Sequence, residues 1–241
     1  MSETKLSTSA QCEMKLTLDI PAIKNLLPSF EIGDFAVLHG SHSISFLSSL
    51  LCVKAQMPSQ LGGLATKAIF IDGANTFRLY NISRIAQFQN LNPKQVLDQI
   101  YIARAFTAYQ MKSLITQKLQ QVIKETGAKL IVISDIAAAF LDDDIPDEET
   151  RKIYNQVMAY LRKFAQENQL VILATYPPHE STKRNNLLYT KTCEKATVVA
   201  SLSWINNHRS FTLEKHPRYA TGSVEFQPGY TTLSELLECY D

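Results

Sequence analysis

The stretch Gly33-Asp-Phe-Ala-Val-Leu-His-Gly40, continued by Ser41-His-Ser-Ile-Ser-Phe-Leu47, decides the fold. An apolar run from Phe35 to His39 ends on a glycine and passes into a helical pattern over Phe46–Gln56. It reads as a buried strand feeding a helix through a short turn. Such a turn cradles phosphate when it carries further glycines and closes on Gly-Lys-Ser or Gly-Lys-Thr. The glycines let backbone N–H groups converge, the lysine reaches the β/γ-phosphates and the hydroxyl holds Mg²⁺. Here no second glycine and no lysine follow Gly40. Ser41, Ser43 and Ser45 remain as hydroxyls that could hold an anion weakly at the helix head. His42, facing His39 across Gly40, reads either as a substitute phosphate ligand or as half of a packed or solvated pair.

Working outward, four more short apolar runs stand at Ala68–Asp72, Ile100–Arg104, Leu130–Ser134 and Leu170–Thr175. Short runs of this kind fit parallel strands buried on both faces. Helical patterns lie between them, over Leu79–Gln89, Pro93–Asp98, Ala108–Thr126 and Glu149–Asn168, and Pro21 opens a further short helix. The alternation predicts an α/β fold with a mostly parallel central sheet flanked by helices. The last third differs. Ala196–Asn206 and His208–Lys215 read as antiparallel strands around Asn206-Asn207, with a short strand at Val224–Gln227. Residues 1–14 are polar and read as a disordered tail, and residues 15–241 as a single domain without repeats.

Composition narrows the function classes. The 241 residues are 45% hydrophobic and 20% charged, with a net charge of +1. That balance speaks against generic attraction to nucleic acid or membranes. Cys12, Cys52, Cys193 and Cys239 form no CxxC pair, so neither a metal site nor a disulfide framework is expected. No segment has the apolar length of a membrane span or a signal peptide. The expected location is cytoplasmic, or nuclear in a eukaryote.

Several stretches carry a family resemblance. Gly62-Gly-Leu-Ala-Thr-Lys-Ala-Ile-Phe-Ile-Asp72 with Asn75-Thr-Phe-Arg78 is one. Leu91-Asn-Pro-Lys-Gln-Val-Leu-Asp-Gln-Ile-Tyr-Ile-Ala-Arg-Ala-Phe106 with Gln110-Met111 is another. Leu130-Ile-Val-Ile-Ser-Asp-Ile-Ala-Ala-Ala-Phe140, Glu214-Lys-His-Pro-Arg218 and Gly222-Ser-Val-Glu-Phe226 complete the set. In order and spacing they resemble the core ATPase domain of the RecA-like recombinases, in particular the archaeal RadA branch, from about residue 17 to 230. The resemblance implies the P-loop NTPase fold of that family, without the helix-hairpin-helix domain that precedes the core in RadA.

It also implies where the catalytic groups should stand. Counted from Gly40, the loop's lysine and hydroxyl fall on Phe46 and Leu47; counted back from Gly62-Gly63, near Ile44 and Ser45. Neither register supplies a lysine. Ala74 stands where the family has its water-orienting glutamate. Ser134 takes the place of the Walker B aspartate, with Asp135 one step late, and Tyr176 that of the γ-phosphate-sensing glutamine. Phosphoryl transfer is catalysed by positioning and charge stabilisation, so these groups are the catalyst. The expectation is a pseudo-ATPase with no catalytic residue and no cofactor, and Asp135 a helix cap or a solvated group rather than a metal ligand.

The resemblance places two DNA-contacting loops after the strands Leu130–Ser134 and Leu170–Thr175. The first, Phe140-Leu-Asp-Asp-Asp-Ile-Pro-Asp-Glu-Glu149, is acidic and would repel a phosphate backbone. It reads as a solvated lead-in to a helix N-terminus or as a dock for a basic partner. The second, Pro177 to Lys195, carries Lys183, Arg184, Asn185, Asn186, Tyr189, Lys191 and Lys195. It is either a contact for single-stranded DNA or an unliganded surface loop. Lys215, His216, Pro217 and Arg218 fall on the family's cap over a neighbouring subunit. The implied function is a non-catalytic recombinase paralogue, an accessory or assembly factor in homologous recombination and DNA repair. It would act through a recombinase or another paralogue and through single-stranded DNA, as a homo- or hetero-oligomer. A stand-alone nucleic-acid-binding module and an ATP-binding switch with an unorthodox loop are the other readings.

Overall fold

The computed structural model describes residues 14–205 and 208–226. In chain order the strands are β1 (Lys15–Leu16), β2 (Phe30–Glu31), β3 (Phe35–Gly40), β4 (Ala68–Asp72), β5 (Ile100–Arg104), β6 (Leu130–Ser134), β7 (Val171–Tyr176), β8 (Val198–Ile205), β9 (His208–Lys215) and β10 (Gly222–Phe226). The helices are α1 (Pro21–Lys24), α2 (Ile44–Lys54), α3 (Leu79–Phe88), α4 (Pro93–Asp98), α5 (Ala108–Ser113), α6 (Leu119–Thr126), α7 (Asp147–Glu167) and α8 (Lys183–Lys195). β1 and β2 form a separate antiparallel ribbon. The other strands form one sheet in the order β10-β9-β8-β3-β7-β6-β4-β5.

From β8 to β5 every neighbouring pair is parallel, and only the β8–β9 and β9–β10 pairs are antiparallel. The mostly parallel sheet with antiparallel strands at its C-terminal end is the architecture expected from the strand–helix alternation. The proposed hairpin residues Asn206 and Asn207, and most of the N-terminal tail, lie outside the described residues.

Alternation along each strand divides the core. Ala36 and Leu38 of β3, Leu130 and Val132 of β6, and Val171 and Leu173 of β7 pack with α1–α4 on one face. Phe35 and Val37, Ile131 and Ile133, and Ile172 and Ala174 pack with α5–α8 on the other. A strand whose residues are all buried needs apolar side chains at both parities, hence its unbroken apolar run. Each fully buried Ile, Leu or Phe contributes about 1.5–3 kcal/mol by its removal from water.

Local chemistry sets the helix ends. Asn92 accepts from the N–H groups of Lys94 and Gln95 to start α4, with Pro93 at its first position. Asp147, Glu148 and Glu149 fill the first turn of α7, where the helix dipole favours negative charge. The expected helix over Ala108–Thr126 is continuous but carries a π turn at Leu114–Lys118 between α5 and α6.

The stretch Pro177–Lys195, expected as a loop, is corrected: from Lys183 onward it is α8. Thr182 caps it by accepting from Asn185 N at 3.0 Å. Its buried positions are Asn185, Leu188 and Thr192, so the inward face is mostly polar and leaves little apolar periodicity to read.

Candidate functional site

Ligands of open α/β sheets bind at the carboxyl ends of the strands, so the turn after β3 is the first place to look. Only Ser41, His42 and Ser43 separate β3 from α2. Gly40 has φ +98°, and a Cβ there would lie 2.3 Å from the carbonyl oxygen of Leu202 on β8. That close approach lets Ser41 N donate to Leu202 O at 2.7 Å. Ser43 N donates to Ser41 Oγ at 3.2 Å. Ile44 N, Ser45 N and Phe46 N donate to the carbonyls of Ser41, His42 and Ser43 at 3.1 Å each, and Leu47 N to Ser43 O at 3.4 Å. A phosphate cradle needs converging N–H groups without acceptors of their own. Each of these amides already has one within the protein.

The serines are engaged as well. Ser45 Oγ donates to His42 O at 2.8 Å, and Ser41 Oγ bonds Ser43 Oγ at 3.3 Å. In both sequence registers the family's lysine position meets apolar packing, because Ile44 and Phe46 are each 1% exposed. Of the two hydroxyl positions, Leu47 is 1% exposed and Ser45 keeps its hydroxyl on His42 O.

Ala74 is exposed beyond β4 and offers only a methyl group. Two residues earlier, Asp72 is buried. Its Oδ1 accepts from Thr76 N (2.8 Å) and Thr76 Oγ1 (3.3 Å), and its Oδ2 from Phe77 N (3.0 Å). That carboxylate serves to fold the turn after β4. Ser134, at the end of β6, bonds Thr76 Oγ1 through its hydroxyl. Asp135 has φ +46° and is pulled out of strand register. Its N–H donates to Thr175 Oγ1 (2.9 Å), while its Oδ1 accepts from Ala138 N (3.2 Å) and meets His179 Nε2 (2.9 Å). Among the described residues no group of three or more His, Cys, Asp or Glu side chains is arranged to hold a metal ion.

Tyr176, at the end of β7, donates its hydroxyl to Asn185 Oδ1 at 2.6 Å and Asn185 O at 3.1 Å. Burial pushes its phenol pKa up, with Asp135 adding to the effect. Its ring meets those of His179 and Tyr189 edge-on. Tyr189 lies 3.2 Å by its hydroxyl from His39 Nε2, which also pairs with Glu214 Oε1 of β9 at 3.0 Å. His39, Tyr189 and Glu214 thus tie β3, α8 and β9 together at the strand ends.

The acidic segment after β6 does not stand free. Arg184, at the head of α8, donates through Nε to Asp147 Oδ1 (2.6 Å) and through Nη2 to Ile145 O (2.8 Å). Its Nη1 bonds Asp142 O, and Asp143 lies within ion-pair reach at 3.7 Å. Of the other basic residues in this stretch, Lys183 is exposed, Lys191 pairs with Glu194 (2.9 Å), and the Lys195 carbonyl accepts from Arg162 at 3.4 Å. Asn185 is buried against Tyr176.

The sequence profile of the Rad51 family matches residues 31–197. The chain belongs to the Rad51 family. The meiotic recombination protein DMC1/LIM15 homolog of Mus musculus is 32% identical over 135 residues, covering 54% of this chain and 39% of that relative. The chain therefore matches about two fifths of the relative's own length. The RecA-like fold expected from the motifs is the fold of this family member.

Of the residues expected to form the cap, Lys215, His216 and Arg218 bond within the chain. Lys215 Nζ donates to the carbonyls of Cys193 and Glu194 at 3.1 Å each, closing the C-terminal end of α8. His216 Nδ1 accepts from Arg218 N (3.0 Å) and Tyr219 N (3.1 Å), and its ring stacks on Tyr219. Arg218 pairs with Glu31 (3.1 Å) and Asp34 (3.2 Å). Pro217 sits between these anchors without a polar side-chain group to contribute.

Sequence reasoning passed over Asp72, His179 and Glu214, and weighed Thr175 only as a polar strand end. Asp72 and Thr175 stand at strand ends, where a polar residue after an apolar run is a usable signal. His179 and Glu214 find their partners far along the chain, and no local pattern announces them.

Proposed function

We propose that this chain is a non-catalytic member of the Rad51 family, an accessory or assembly factor in homologous recombination and DNA repair. It works through protein partners of the same fold rather than by hydrolysing ATP. The observation that carries this reading is the carbonyl of Leu202 in the turn after β3. It takes the Ser41 amide that a phosphate oxygen would need, and the amides of Ser43 to Leu47 close on the turn itself. A nucleotide would have to displace an internal hydrogen bond without a lysine to compensate. The replacement of the water-orienting and sensing groups by Ala74 and Tyr176 supports the same conclusion, since removing one preorganised group commonly costs 10²–10³ in rate. The mouse relative's name, a meiotic recombination protein, supports the choice of pathway.

The basic side chains of α8 are divided between internal pairs and solvent, which favours contact with DNA through the partner over independent binding. The test is phosphate release from Mg-ATP by the purified chain, with and without single-stranded DNA, alongside its co-purification with a Rad51-family recombinase. The expected result is turnover at the blank level together with a stable complex. Magnesium-dependent turnover proportional to chain concentration would overturn the reading.

A further inference from the structure

The near-neutral total charge hides an uneven distribution. Residues 73–124, from the turn after β4 into α6, hold seven of the 24 Lys and Arg but only one of the 23 Asp and Glu, Asp98. The rest of the chain is left with 17 basic and 22 acidic residues. The side of the molecule built from this stretch is therefore basic, and a local basic surface attracts polyanions whatever the total.

The same stretch carries the most exposed aromatic rings among the described residues. Tyr80 is 83%, Phe106 72% and Tyr109 50% exposed. Two of these rings follow arginines at the carboxyl ends of neighbouring strands, as Arg78-Leu-Tyr80 beyond β4 and Arg104-Ala-Phe106 at the end of β5. Strand pairing sets Arg104 opposite Asp72, the last residue of β4. Asp72 Oδ2 accepts from Phe77 N at 3.0 Å and lies 3.9 Å from Arg104 Nε. One buried carboxylate thus draws the two Arg-x-aromatic units to the same end of the sheet.

Local bonds fix the backbone beneath the rings. Arg78 Nη1 donates to Asn75 O at 2.7 Å, and Phe106 N donates to Gln110 Oε1 at 2.8 Å. Tyr109 follows on α5 with its hydroxyl on Glu149 at 2.7 Å, and Lys112 stands one turn further along the same helix face. Tyr109, Lys112 and Lys152 line a cavity of about 630 Å³ between α5 and α7, where Glu148 and Glu149 end the basic run. Rings that project into solvent beside cations offer flat faces on which unpaired bases stack, while the cations hold phosphates.

We propose that single-stranded nucleic acid binds across the carboxyl ends of β4 and β5. Its bases stack on Tyr80, Phe106 and Tyr109, and its backbone lies along Arg78, Arg104 and Lys112. This surface is separate from α8, where the family resemblance places a DNA contact, and from the turn after β3. Its test is therefore independent of ATP turnover. Repulsion from the acidic remainder of the chain keeps the affinity modest, in keeping with a strand shared with a partner protein.

Fluorescence anisotropy of labelled oligo(dT) and oligo(rU), titrated at low salt with the full chain to about 100 μM, the weak end of sequence-independent binding, tests it. Saturable binding is expected, and the tighter of the two oligonucleotides identifies the sugar. Tyr80→Ala and Phe106→Ala are each expected to weaken binding at least about fivefold, the loss of one stacked base, with an unchanged melting temperature. Lys112→Ala is expected to lower the slope of log K against log salt by about 0.7, the value for one phosphate contact on a single strand. Lys191→Ala/Lys195→Ala on α8 is expected to change neither affinity nor slope. Failure of both oligonucleotides to bind would overturn the proposal. So would binding that both ring variants leave intact. Competition by polyglutamate as effective as that by unlabelled oligonucleotide would also overturn it, and would assign the surface to an acidic protein.

Discussion

Gly33 and Gly40 provide a matched pair for testing how tightly the turn after β3 is closed. Both have a left-handed backbone, at φ +97° and +98°. A Cβ on Gly33 would meet nothing nearer than Gln166 Cα at 4.0 Å, whereas on Gly40 it would stand 2.3 Å from Leu202 O. Gly33→Ala therefore measures the backbone term alone, about 1–2 kcal/mol for an L-residue in the left-handed region. Gly40→Ala adds the forced retreat of Leu202 O. That retreat costs the Ser41–Leu202 hydrogen bond, about 1 kcal/mol, and overpacking strain of about 1–3 kcal/mol where β3 pairs with β8. The excess of Gly40→Ala over Gly33→Ala is then about 2–4 kcal/mol, or roughly 4–16 °C at about 2–4 °C per kcal/mol for a chain of this size. Urea and thermal unfolding followed by far-UV circular dichroism give both numbers. Two variants melting within about 1 °C of each other would refute the reasoning, because Leu202 O would then not be pressed against the turn.

Three further outcomes follow from side chains away from the turn. Burial, and secondarily Arg218, holds the His216 pKa below its ordinary value. A depressed folded pKa gives a contribution present above the unfolded value of about 6.5 and lost as pH falls through the folded one. Stability should therefore drop on acidification below about pH 6.5, with a shallower slope in His216→Gln, as read by urea titrations at each pH. The Lys54 ammonium is 3% exposed and held by Asp19 and by Leu61 O (2.9 Å). Asp19→Ala, which leaves that charge buried, should cost about 2 kcal/mol, and Lys54→Met less than about 1 kcal/mol, measured by chemical denaturation. Arg184→Ala should speed amide exchange over residues 141–149 at least tenfold while leaving β6 and β7 protected, since it frees the carbonyls of Asp142 and Ile145 together.

The central sheet was readable because β3, β4, β6 and β7 are buried on both faces, a condition that a continuous apolar run such as Leu130-Ile-Val-Ile133 reports directly. α8 escaped because two of its three buried residues, Asn185 and Thr192, are polar and satisfied by Tyr176 and Tyr154. The missing lysine after Gly40 is a matter of composition and was visible at once. The use of the Ser41 amide by Leu202 depends on β8 pairing with β3 across most of the chain and could not be seen locally. The acidic run Asp142–Glu149 was equally plain as charge, but its partner Arg184 arrives only when α8 folds against α7. Tertiary pairing, rather than local propensity, decides which charged groups stay free.

The most direct measurement of the central claim is a thermal-shift titration of the full chain with Mg-ATP, Mg-ADP and a non-hydrolysable analogue up to millimolar concentration. A ligand at a hundred times its Kd stabilises a protein by about 2.7 kcal/mol. The closed turn after β3 predicts no saturable shift with any of the three. A saturable rise in melting temperature that disappears when Ser41 is changed to proline, removing the amide now given to Leu202, would contradict it and place a nucleotide in that turn.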